Sequence, residues 1–139
     1  MTSATEATTS TAAATTINTA AITIHLQPGE RYAGPVLDAD GNVKHHMVLL
    51  PNQPETRLNW SDAKAWATSV GGQLPDRQEQ ALLYANCKPH LQPKWHWSSE
   101  EDEDDASYAL GCYFFYGTQY GLHKSFEGSA VAVRLVEVV

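Results

Sequence analysis

The stretch NWSDAKAWATSVGGQLPDRQE, Asn59 to Glu79, says more about the fold class than any other part of the chain. Asn59 suits an N-cap, because its side-chain oxygen can accept from a free backbone N–H of the first turn. Trp60, Ala63, Trp66, Ala67 and Val70 follow at three- and four-residue intervals, which places them on one helix face. Gly71-Gly72 ends that helix, the first glycine suiting the left-handed position beyond the last turn. Asp76 and Glu79 have the spacing of a capping box, so a second helix starts there. Its apolar positions Ala81, Leu82, Leu83, Ala85 and Cys87 run until Pro89.

Outward from these helices the pattern turns to strands. Ile22 to Leu26 alternates and reads as a first strand. Arg31 to Leu37 and Lys44 to Leu50 read as a hairpin joined by Asp38-Ala39-Asp40-Gly41-Asn42. The Asp38/Asp40/Asn42 spacing superficially matches the start of a calcium loop. Its glycine stands fourth and no bidentate Glu follows, so a plain turn is expected. On the far side, Trp95 to Ser99 reads as a strand with both indoles on one face, and Tyr108 to Tyr116 as a longer one. Between them Glu100 to Asp105 are six consecutive carboxylates, which mutual repulsion assigns to a solvated loop. A turn at Gly117 to Gly121 and a polar stretch from His123 to Gly128 lead to a final strand, Ala130 to Val136. Strands, two central helices and an aromatic-rich sheet make an α+β arrangement, with two short helices packed on a mostly antiparallel sheet.

The chain has 139 residues, with 16 acidic and 9 basic side chains. That length fits one domain with room for a tail. Without Glu100 to Asp105 the balance is 10 against 9, so the net charge of −7 describes one loop more than the whole surface. No Lys/Arg cluster offers a footprint for nucleic acid. Residues 2–21 are almost entirely Thr, Ala and Ser and cannot bury enough surface to offset their own ordering. They read as a disordered leader or as an extended assembly arm, with Thr15, Thr16, Ile17, Asn18 and Thr19 the candidate contact residues. Residues 22–139 form the domain. A secretory h-region and a membrane-length apolar run are both missing, so no signal peptide and no membrane insertion are expected. Cys87 and Cys112 are expected as free, buried thiols.

Trp60-x-x-Ala63, Gly71-Gly72-Gln73-Leu74-Pro75, Arg77-x-Glu79, Trp97-Ser98-Ser99 and Ala132-Val133-Arg134 occur in an order that resembles the DUF1566 family, the C-terminal domain of Lcl-type adhesins. Small phage-encoded members look especially similar. The resemblance spans about Asn59 to Val136 and implies a C-type-lectin-like fold, in which the N- and C-terminal strands pair, here Ile22 to Leu26 with Ala130 to Val136. The Glu-Pro-Asn, Gln-Pro-Asp and Trp-Asn-Asp tripeptides and the four-cysteine pattern of calcium-dependent lectins are absent, so no calcium-mediated sugar recognition is implied. What the resemblance implies is a phage virion protein assembled in the host cytoplasm. It would be either a capsid decoration or cement-like component, or a tail-associated module recognising a host surface glycan or protein. Its expected partners are other virion proteins and further copies of itself.

For chemistry the sequence offers little. His45 and His46 are adjacent, and adjacent strand residues point to opposite faces, so they do not grip one ion. Neither a Gly-x-Ser-x-Gly elbow nor a Cys with a neighbouring His supports nucleophilic catalysis. The reading is therefore non-enzymatic, with no catalytic residue, metal or cofactor. Aromatic side chains near turns suit a contact surface, because Tyr and Trp give large contacts at low entropic cost. Residues 90–99 with 116–127 form that candidate surface. Trp95, His96, Tyr116, Tyr120, His123 and Lys124 are its candidate ligand-binding residues. Arg77 and Glu79 are expected in structural roles, and Arg134 in an internal pair with Glu79 or Glu127.

Overall fold

The computed structural model describes residues 21–138. The candidate arm residues Thr15, Thr16, Ile17, Asn18 and Thr19 therefore lie outside the described residues. In chain order the elements are β1 (Arg31–Leu37), β2 (Val43–Leu49), α1 (Trp60–Ser69), α2 (Arg77–Cys87), β3 (Trp95–Glu101), β4 (Tyr108–Tyr113), β5 (Thr118–His123) and β6 (Val133–Glu137). The fold is α+β: two short helices and two three-stranded antiparallel sheets, ordered β1-β2-β6 and β3-β4-β5.

Local signals were obeyed where the physics is local. Asn59 caps α1 by accepting from Asp62 N. Asp76 and Glu79 complete the capping box of α2. Gly71 takes a φ of 86°, which a side chain would strain. The β1–β2 turn is a plain Asx turn, Asp38 Oδ1 accepting from Asp40 N and Asn42 N.

Residues 128–133 stitch the two sheets together. Ser129 donates from its N–H to Trp95 O and accepts from Trp97 N, while Gly128 exchanges two bonds with Leu58 and Val133 two with Gln73. Around this seam lie two apolar clusters. One gathers Met47, Leu83, Cys87, Cys112, Phe114 and Val133 between the first sheet, α2 and β4. The other gathers Trp60, Ala63, Ala67, Leu74, Trp95 and Trp97 beneath α1. Both thiols are free and buried, and burial pushes the Cys112 thiol up to about 11.

Several sequence expectations need correction. Ile22 to Leu26 form no strand, and β6 takes β2 as its partner instead. The alternation there reports one-sided burial: Ile22 and Ile24 are half-buried and, with Leu26, border a cavity against Tyr32 and His46. Arg134 pairs with neither Glu79 nor Glu127. Its guanidinium forks onto Glu30, Nε to Oε2 at 3.0 Å and Nη2 to Oε1 at 2.9 Å, and also donates to His25 O. β4 ends at Tyr113 because Gly117 turns the chain at a φ of 79°, and the stretch Gly117 to Gly121, expected as a turn, runs instead into a strand, β5, over Thr118–His123. β6 begins only at Val133, residues 128–132 being the seam. Of the acidic run, Glu100 and Glu101 belong to β3. Asp102 then organises the turn by accepting from the N–H groups of Asp104 and Asp105.

Candidate ligand-binding surface

β3 sets the surface by alternation: Trp95 and Trp97 point to one face of the second sheet, His96 and Ser98 to the other. The two indoles meet edge to face, 4.4 Å between centroids. Gly111 makes this possible, because a Cβ there would collide with the Trp95 ring and with His96 O. The indole thus lies across the backbone of β4. Its centroid is 6.2 Å from that of Tyr120 on β5 and 5.7 Å from that of Phe126. Opposite Trp95 in register stands Tyr113, which meets Tyr116 at 5.8 Å and Phe115 at 6.0 Å.

The outcome is two aromatic groups, Trp95 with Trp97, Tyr120 and Phe126, and Tyr113 with Phe115 and Tyr116, placed side by side by the Trp95–Tyr113 register, with a buried floor and exposed rims. Trp95 is only 7% exposed, whereas Tyr120, Phe126, Phe115 and Tyr116 are 42–68% exposed. Edge-to-face contacts of this kind hold rings in fixed orientations, so the exposed members are pre-ordered for contact. A cavity of about 340 Å³ opens between Trp95, Tyr113 and Phe126, with Arg57, Lys94 and Glu127 around it. That volume falls at the lower end of the ~300–1,000 Å³ usual for small-ligand sites.

The structure divides the six sequence candidates. Trp95 and Tyr120 come together, whereas Tyr116 belongs to the neighbouring Tyr113–Phe115 group. His96 is not on the surface, being 1% exposed. Its Nδ1–H donates to Lys94 O at 2.8 Å and its ring lies 4.7 Å from Phe114. Burial holds its pKa down to about 4, so the imidazole is neutral at pH 7. His123 and Lys124 belong to another region. His123 meets Tyr108 edge to face, while Lys124 pairs with Glu101 at 2.6 Å and sits 4.6 Å over the Trp60 ring, beside Lys64.

Arg57, Lys94, Tyr113 and Phe126 are the residues that sequence reasoning missed. Lys94 and Phe126 fell inside the expected segments. Arg57 comes from the β2–α1 connection, and only the pairing of Leu58 with Gly128 brings it here. Among the described residues no group of three His, Cys, Asp or Glu side chains is arranged to hold a metal ion. His45 and His46 do face opposite ways, His45 bonding Glu79 at 2.7 Å and His46 bonding Tyr32 at 2.7 Å. No protein-family model matches the chain, and no curated protein matches it in sequence.

Proposed function

We propose that this chain is a non-enzymatic, C-type-lectin-like component of a bacteriophage particle, of the DUF1566 kind, acting as a capsid decoration or cement-like protein. The observation that carries this reading is how the N-terminal segment enters the domain. Residues 21–27 run without helix or strand beside the first sheet, Ile22 and Ile24 half-buried, and Arg134 grips the backbone at His25 O. The preceding Thr/Ala-rich residues therefore start from a fixed point on the domain's side, as an arm that reaches a neighbouring subunit requires. Deleting Thr2 to Ala21 is expected to abolish incorporation into purified particles while the thermal unfolding of the domain stays cooperative. Normal incorporation would sink the assembly reading.

The exposed aromatic rim favours a second reading, a tail-associated module that recognises a host surface glycan or protein. Tyr116, 68% exposed, is held at the tip of the β4–β5 turn by Tyr113 and Phe115. On this reading Tyr116→Ala lowers adsorption to host cells by about ten-fold at constant particle number, a typical loss for one central contact residue. Unchanged adsorption would count against it.

A further inference from the structure

Each three-stranded sheet has two edges, and an edge strand presents unpaired N–H and C=O groups that native folds cover, charge or interrupt. Three of the four edges are treated in that way. On β1, Ala33 O and Leu37 O accept from the side-chain amides of Asn86 and Gln78 on α2, and Pro35 has no N–H to offer. On β3, Trp97 N–H donates to Ser129 O and Ser99 N–H to Pro75 O, while Trp95 O accepts from Ser129 N–H. The β5 edge is charged instead: a Cβ at Gly121 would lie 3.6 Å from Asp102 Oδ2, so a strand added there would run beside a carboxylate of the acidic run.

β6 is the exception. Leu50 N–H donates to Ala132 O, and the β2–β6 register carries that parity along the strand. Arg134 and Val136 therefore bond to β2, whereas Val133, Leu135 and Glu137 turn their backbone groups outward. Val133 exchanges two bonds with Gln73, but the outward N–H and C=O of Leu135 and Glu137 have no protein partner among the described residues. The strand has no proline, no bulge and no lysine, and its one cation is turned to Glu30. Leu135 is half-buried against the cluster of Met47 and Leu83, so the inner layer stops short at this edge.

An occupant must be extended, prone to strand geometry and free of like charge. Two whole domains of net charge −7 repel one another, which disfavours broad face-to-face contact. The chain itself supplies a fitting segment: twenty residues precede the first described one, no Asp, Glu, Lys or Arg occurs between Glu6 and Glu30, and Thr favours strands. Beyond Met1, Ile17 is the one large apolar side chain of those twenty.

We propose that Thr15 to Thr19 of a second copy adds to β6 as an antiparallel fourth strand, with Ile17 opposite Leu135 and Thr15 opposite Glu137. In this register Ile17 shares the inner face with Leu135 and extends the apolar cluster. Gln73 occupies the next position, at Val133, so the added strand is confined to a short window. Within one chain the same register would bring Thr19 to Val133 and then require Ile22, three residues later, beside His46 opposite Val136, a doubling back without glycine or proline. A second copy needs no such return. The inference names the acceptor for the assembly arm and rests on that reading for its biological setting alone.

The test is hydrogen exchange of the full-length ¹⁵N-labelled protein at two concentrations about a hundred-fold apart, with the solution mass measured at both. At the higher concentration the Leu135 and Glu137 amides should exchange about ten-fold more slowly while those of Arg134 and Val136 stay unchanged, and the mass should exceed that of one chain. Ile17→Asp should abolish both effects, and Thr8→Asp, the same charge outside the window, should abolish neither. The proposal is overturned if Leu135 and Glu137 are protected equally at both concentrations, if they are protected at neither, if association proceeds with both amides still exchanging freely, or if the two arm variants behave alike. Incorporation into particles that needs the arm while Leu135 stays unprotected would remove this proposal and leave the assembly reading standing. Docking that Ile17→Asp abolishes while incorporation stays normal would do the reverse.

Discussion

Glu79 shows how much one side chain can organise. Oε1 accepts from Asp76 N at 2.9 Å while its own N–H donates to Asp76 Oδ1, which closes the capping box. Oε2 accepts from His45 Nε2 and ties α2 to β2. Both partners are buried, Glu79 at 2% and His45 at 8% exposure. Glu79→Ala therefore removes a cap and strands a buried imidazole, and losing one member of a buried pair costs about 3–5 kcal/mol. Urea unfolding should show a loss of this size, with Glu79→Gln losing less because an amide oxygen still serves one acceptor role. Alanine at Arg77, exposed and two residues earlier in the same helix, should shift the midpoint by no more than about 0.5 kcal/mol. A capping role alone would have made Glu79→Ala cost only about 1 kcal/mol.

At the element scale, what was legible in the sequence tracks how local each determinant is. α1, α2 and the β1–β2 hairpin are specified by caps, glycines and spacing within a few residues, and they form where those signals placed them. β5 was hidden because it is an edge strand with exposed Thr118, Tyr120 and His123, so its burial leaves no apolar period to read. The partner of β6 depends on pairing across more than 80 residues, and no local pattern distinguishes β2 from Ile22 to Leu26 as that partner. Tyr116 and Tyr120 could be read as surface residues from their positions near turns, whereas Arg57 reaches the cleft only through a long-range bridge. The attachment of residues 21–27 is itself titratable. The Arg134 guanidinium holds the Glu30 carboxyl below its usual range, so the pair contributes fully above the unfolded carboxylate pKa and is lost as pH falls through the lowered value. Hydrogen exchange should show the Gln27 and Glu30 amides, which bond within this segment, losing protection in acid well before the sheets. Glu30→Gln should make that opening independent of pH between about 5 and 2, and protection unchanged by acid in the unmodified chain would contradict it.

For the whole molecule, the acid response above that range rests on His96. The ring is buried against Phe114 and Lys94 O, and burial lowers its pKa from 6.5 to about 4. Between those two values the unfolded chain binds a proton that the folded chain refuses. Stability therefore rises with pH across the window, is complete above about pH 6.5, and has lost the full contribution near pH 4. The difference in pKa corresponds to roughly 3 kcal/mol, large against the ~5–15 kcal/mol that holds a typical domain together. Urea midpoints measured at pH 7 and pH 5 should accordingly fall by about 1–2 kcal/mol from this group alone. A neutral replacement that keeps the bond to Lys94 O, His96→Gln, should be less stable at pH 7 yet show a flatter profile from pH 6.5 to 4. An unchanged slope would mean that other groups carry the acid response, Glu30 being excluded by its lower window.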